Sequence, residues 1–182
     1  MPRKSKNNQG LVIVYTGSGK GKTTAAIGMA VRAAGYNQKS IIIQFIKGTW
    51  KTGETQSLKK PSSQIEIISA GQGFVKILND HKPFSEHLQA AQAALKLARQ
   101  AVRSPKYHIV ILDEINYAVK GGLISVKDVL DLIKRKLPST HLVLTGNYAS
   151  PRIIQKADLV TEMKEIKHPF HKGIKAKKGI DY

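Results

Sequence analysis

The nine residues Thr16-Gly-Ser-Gly-Lys-Gly-Lys-Thr-Thr24 restrict what this chain can be more than any other feature. They follow the β-branched apolar run Leu11–Tyr15 and lead straight into an alanine-rich stretch, 23–34, of helical character. Glycines at 17, 19 and 21 let the backbone curl until several N–H groups point into one concavity, a nest for an anion. The helix start adds the positive end of its dipole at the same point. Lys22 supplies a mobile ammonium for phosphate oxygens, and the Thr23 hydroxyl stands where it can ligate Mg2+. A turn that merely joined strand to helix would explain the glycines, but not Lys20, Lys22 and Thr23 at these offsets. The Walker A pattern asks for glycine at position 16, where this chain has Thr16, so the first glycine comes one residue late.

Four further apolar runs follow: Ile41–Phe45, Ile65–Ile68, Ile109–Leu112 and Leu142–Leu144. Their continuous rather than alternating apolar character predicts strands buried on both faces, as in a parallel sheet covered by helices. Helical spacing separates them. Ser85 is the expected N-cap for a helix carrying Leu88, Ala91, Leu95, Ala98 and Val102. Ser125-Val-Lys-Asp128 has the spacing of a capping box ahead of Val129, Leu132, Ile133 and Leu137, and Pro138 ends that helix. The expected fold is α/β, a P-loop NTPase-like doubly wound, mainly parallel sheet flanked by helices, with ligands at the carboxyl ends of the strands. A basic tail over 1–9 precedes a single domain over 10–182. The long polar stretch 47–63 is a loop of the length that often serves function.

The fourth run ends in Asp113-Glu114. In a chain of 182 residues with only 12 acidic ones, two adjacent carboxylates at the ligand edge of a buried strand read as a Walker B element that holds Mg2+ directly or through water. Against those acids stand 30 Lys and Arg, a formal charge of +18 that calls for an anionic partner. There is no cysteine, which excludes a thiol nucleophile and a Cys-ligated metal site and suits a reducing cytosol. No apolar run approaches the roughly 20 residues that span a bilayer, and the basic start lacks the apolar core of a signal peptide. His108 and His141 read as structural, and the pair His168 and His171 lacks a further ligand cluster. No catalytic base stands out beyond Glu114. Such a site suits a reaction whose nucleophile arrives with the second substrate.

Gly10 through Ala26, then Gln44-Phe-Ile-Lys-Gly-Thr-Trp50, Leu112-Asp-Glu114 with Asn116-Tyr117, Leu144-Thr-Gly146 and the ending Gly179-Ile-Asp-Tyr182 together resemble the P-loop type ATP:corrinoid adenosyltransferases. The resemblance runs over nearly the whole chain from Gly10. It implies transfer of the 5′-deoxyadenosyl group from ATP to the Co(I) of a corrinoid, with release of triphosphate, in cobalamin biosynthesis or salvage. It implies that Gly17, Ser18, Gly19, Lys20, Gly21, Lys22, Thr23 and Thr24 hold the triphosphate, with Lys22 as the catalytic charge. Thr23 and Glu114 would ligate Mg2+, with Asp113 acting through water, Arg32 would lie near the nucleotide, and Phe74 would face the corrinoid. An electron-donating reductase or flavodoxin-like protein, a homodimer and a cytoplasmic setting are implied as well, with no nucleic acid and no membrane. Two positions depart from the family pattern: Lys76 replaces a tryptophan after Gly73-Phe74, and Asn147 replaces an arginine after Gly146. Two other readings stand beside this one. The first is a P-loop protein that uses its charge on nucleic acid; the second is a corrinoid carrier or sensor that keeps ATP binding.

Overall fold

The computed structural model describes residues 9–47, 52–58, 64–73 and 82–181. Six parallel strands form one sheet: β1 (Val12–Thr16), β2 (Ser40–Gln44), β3 (Ile65–Ser69), β4 (Ile109–Asp113), β5 (His141–Thr145) and β6 (Leu159–Glu162), in the order β3-β2-β4-β5-β1-β6. The helices are α1 (Lys22–Ala34), α2 (Gly53–Ser57), α3 (Phe84–Ala101), α4 (Ile115–Lys120), α5 (Val126–Arg135) and α6 (Pro151–Ile154), with a 3-10 turn at Pro169–Lys172. The expected doubly wound parallel architecture is present, and the five expected strands lie within a residue of their apolar runs.

Both faces of the sheet are covered, which is why its strands are apolar at successive positions. Val14, Ile43, Val110, Leu112, Leu142 and Leu144 point to one side, where α3, α4, α5 and α6 close a large core. Ile13, Ile42, Ile111 and Val143 point to the other, packed by Ala26, Ala30 and Ala33 of α1. Three alanines along one stripe bring that helix close to the strands without filling the space between. Among the described residues α1 is the only helix contributing buried side chains to this second core, so the loop that starts it is anchored to the middle of the sheet.

Details of the helix starts separate what local chemistry dictates from what packing overrides. Ser125 accepts from the Asp128 N–H at 3.1 Å, and the Asp128 carboxylate reaches back to the Ser125 N–H at 3.3 Å, so the capping box forms as expected. Ser85 is not the cap of α3. That helix begins at Phe84 with Pro83 at the N-cap, because proline's fixed φ already directs the chain into the first turn. His108 and His141 are structural: each accepts a backbone N–H on its Nδ1, from Lys39 and from Leu11, near the amino ends of the strands. Four of these strands and α-helices went unread: α4, the short α2 inside the long loop, the single turn of α6, and β6, an edge strand exposed along its length.

Because Ser125 and Asp128 satisfy each other at the surface, Ser125→Ala is expected to lower stability by about 1 kcal/mol. In urea unfolding the midpoint should fall with an unchanged slope.

Candidate functional site

The loop between β1 and α1 stands at the carboxyl edge of the sheet, beside the tips of β4 and β5. Gly21 occupies the N-cap of α1 in a left-handed conformation, with φ 107°. No side chain caps this helix, and its first turn holds no acidic residue. The free N–H groups of that turn therefore remain available to an anion. Lys22 folds back over the loop, its Nζ donating to the carbonyls of Gly17 at 2.8 Å and Gly19 at 2.6 Å. Burial holds its pKa below the ordinary lysine value, against the opposing pull of Glu114.

Asp113, 1% exposed, is the hub of the site. Its Oδ1 accepts from Thr23 Oγ1 at 2.8 Å and from Thr145 Oγ1 at 2.7 Å. Its Oδ2 accepts a longer bond of 3.4 Å from Gln44 Nε2 and lies 4.0 Å from Lys47 Nζ. Register explains the meeting: Gln44 sits opposite Asp113, and Leu112 opposite Leu144, so the next residue of β5, Thr145, reaches the carboxylate. Thr145, Gln44 and Lys47 were not among the expected site residues. The polar residues ending two otherwise apolar strands were the available signal.

Glu114 adopts a left-handed conformation, φ 61° and ψ 21°, for which a non-glycine residue is penalised by about 1–2 kcal/mol. An extended strand would send consecutive side chains to opposite faces; the kink breaks that alternation and keeps both carboxylates at the site. The Glu114 N–H is held by Thr145 Oγ1 at 3.0 Å. Gly146 leaves room for the glutamate: with φ 118°, a Cβ there would lie 3.1 Å from Glu114 Oε2 and 3.0 Å from the Tyr117 nitrogen. Burial first, and the neighbouring Asp113 charge second, push the Glu114 pKa up to about 7, while Lys22 and Lys47 oppose the rise.

A strap from the far end of the chain completes the loop. The Gly19 N–H donates to the Met163 carbonyl at 2.7 Å, Met163 N–H donates to the Thr16 carbonyl at 2.8 Å, and Glu165 N–H reaches Ser18 Oγ at 3.4 Å. Lys20 pairs with Asp181. A Cβ on Gly17 would stand 2.4 Å from the Met163 carbonyl oxygen, so this glycine serves the strap as well as the turn. The Gly19 N–H is taken by the strap and is not free for a phosphate. Thr16 has its own use: its Oγ1 accepts the Ala149 N–H at 3.2 Å, tying β1 to the segment after β5.

The structure thus gathers Gly17, Ser18, Gly19, Lys20, Gly21, Lys22, Thr23, Asp113 and Glu114 at one edge. Thr24 is exposed in the first turn of α1. Arg32 is not brought to the loop of its own chain. It is exposed in the last turn of α1, ten residues on from Lys22 and hence about 15 Å of helix rise away. Phe74 and Lys76 lie outside the described residues. His171 pairs with Glu165 at 2.6 Å, and His168 Nδ1 accepts the Phe170 N–H. No group of three or more His, Cys, Asp or Glu is arranged to hold a metal among the described residues.

The sequence model of the family described as ATP:corrinoid adenosyltransferase BtuR/CobO/CobP matches residues 8–182. A corrinoid adenosyltransferase of Pseudomonas aeruginosa is 37% identical over 178 residues, covering 98% of this chain and 86% of the relative. One from a Sinorhizobium species is 39% identical over 97% of this chain and 82% of its own. One from Escherichia coli K12 is 32% identical over 98% of this chain and 88% of its own.

The Glu114 environment has a consequence for stability. The unfolded carboxyl titrates near 4.5 and the folded one near 7, so the folded chain holds an extra proton between those values. Stability therefore falls as pH rises through this window and levels off above it. Glu114→Gln removes the penalty. In urea unfolding of the nucleotide-free protein the variant should exceed the native chain by on the order of 2–3 kcal/mol at pH 8 and match it near pH 4. An equal gain at both pH values would overturn this account.

Proposed function

This chain belongs to the ATP:corrinoid adenosyltransferase family, and from that premise we propose how its residues carry the reaction. The activity is transfer of the 5′-deoxyadenosyl group of ATP to the Co(I) of a corrinoid, in cobalamin biosynthesis or salvage. The electron pair of Co(I) forms the cobalt–carbon bond at C5′, and the C5′–O pair departs with triphosphate. No proton changes hands, which agrees with a site offering cations and N–H groups and, among the described residues, no base–nucleophile pair.

The uncapped, acid-free start of α1 carries the reading. Free N–H groups, the helix dipole and Lys22 converge where a triphosphate would lie. Lys22 would exchange the Gly17 and Gly19 carbonyls for phosphate oxygens. Its ammonium would then offset the charge that develops on the leaving group. An oxygen-only donor set of the Thr23 hydroxyl and the Glu114 carboxylate suits Mg2+, a hard cation that takes one or two carboxylates and completes its shell with waters and substrate phosphates. When bound, Mg2+ would spread the charge of the triphosphate. Asp113, already engaged by two hydroxyls, would act through water and orient Thr23.

Phe74 would meet the corrinoid. The Gly73 N–H, just before it in sequence, donates to the Ile46 carbonyl at 2.7 Å, which holds Gly73 beside the carboxyl end of β2. A homodimer fits the exposed apolar residues Leu159 and Val160 on the edge strand. Reduction of the corrinoid calls for an electron-donating reductase or flavodoxin-like protein. The cytoplasm is the compartment that supplies both ATP and reductant.

An anaerobic assay with MgATP and chemically reduced Co(I) corrinoid tests the proposal. A light-sensitive cobalt–carbon product should form with one triphosphate per turnover, and Lys22→Ala should slow it by about 100-fold or more. Absence of product in a protein that binds MgATP would overturn it.

A further inference from the structure

The segment after β2 places a lysine at the site that neither the glycine-rich loop nor the acidic pair accounts for. Its backbone is held on both sides. The Phe45 N–H bonds the Asp113 carbonyl at 3.0 Å, and Gly71 packs so closely that a Cβ there would stand 2.4 Å from the Phe45 carbonyl oxygen. From this base Lys47 reaches 2.8 Å from Glu54 Oε1 and 4.0 Å from Asp113 Oδ2, with its side chain three-quarters buried. Its charge and that of Lys22 are the two cations acting on Glu114. Lys20 is paired with Asp181, and Asn147 brings no charge. A triphosphate seated on α1 with one Mg2+ still carries a net negative charge, and Lys22 alone leaves part of it unbalanced.

We propose that Lys47 is a second triphosphate-binding cation, which exchanges Glu54 for a phosphate oxygen when nucleotide binds. This rests on the adenosyl-transfer reading above. As the C5′–O bond breaks and its electron pair moves onto the triphosphate, that group gains one negative charge, and Lys47 shares in offsetting it. The opposing account makes Lys47 a strut that ties α2 to the sheet through Glu54. The two accounts assign different weights to the two partners. A strut is lost equally by removing either end, whereas a phosphate ligand is lost only with the lysine.

The test compares Lys47→Met, Lys47→Arg, Glu54→Gln and the double variant K47M/E54Q. Turnover is followed with MgATP and Co(I) corrinoid, and Mg2+-tripolyphosphate binding is followed by calorimetry, which needs no corrinoid. Lys47→Met is expected to lower kcat by about 100-fold and weaken tripolyphosphate binding by about tenfold. Lys47→Arg should recover most of both. Glu54→Gln should keep kcat within about threefold and bind tripolyphosphate as well as the native chain or more tightly. Equal losses in Lys47→Met and Glu54→Gln, with the double variant no worse, would overturn the proposal. So would native tripolyphosphate binding in Lys47→Met. Should Lys47→Met fail to fold, Lys47→Gln carries the same two outcomes. If the native chain makes no cobalt–carbon product while Lys47→Met still loses tripolyphosphate, the transfer reading fails and the cation site stands.

Discussion

Two threonine hydroxyls on one oxygen of Asp113 hold the site together. Thr23 comes from the first turn of α1 and Thr145 from the tip of β5, while Asp113 itself ends β4. Three elements that meet through apolar packing along their length are thereby set in register at the one edge where packing stops. Because the carboxylate is buried and its hydrogen bonds are short, displacing any of the three would leave a charge without compensation in a poorly solvating place. The same threonine that receives Glu114's N–H also donates to Asp113, so the left-handed turn and the carboxylate hub share a support.

Local stability is given up at this edge. Glu114 is both conformationally strained and electrostatically unhappy, and Lys22 sits where burial disfavours its charge. These are the conditions a doubly charged cation and a polyanion would relieve together. Strained and desolvated groups gathered at one edge are a common pattern where function rather than folding selects the residues.

Legibility in the sequence followed the range of the interactions. The strands were readable because burial on both faces leaves continuous apolar runs, and the Ser125 box because its partners are three residues apart. The glycine-rich loop was readable from strict local spacing. Ser85 misled because a serine ahead of a helical pattern is a good cap in isolation, but Pro83 sets the entry first. α4 escaped because its start is a left-handed glutamate in place of a capping side chain, and β6 because Leu159 and Val160 alone are too short an apolar run to read as a strand. Thr145, Gln44 and Lys47 belong to the site through strand register, which no single stretch of sequence displays. Arg32 shows the converse: it follows the loop closely in sequence, yet ten helical residues set it about 15 Å of rise from Lys22.

The strap across the loop has a temporal side. β1 lies between β5 and β6, and the loop following it is fastened by Met163 and Asp181, all from the last third of the chain. During vectorial synthesis the first strand and the glycine-rich loop after it emerge early, yet wait for nearly the whole polypeptide before their neighbours exist. The middle of the sheet, β2 with β3 and then β4, can pair first, and the part of the sheet that carries the glycine-rich loop closes last. A partly made chain is therefore inert by topology, and its long-range closure, slow for reasons of loop entropy, coincides with the birth of the site.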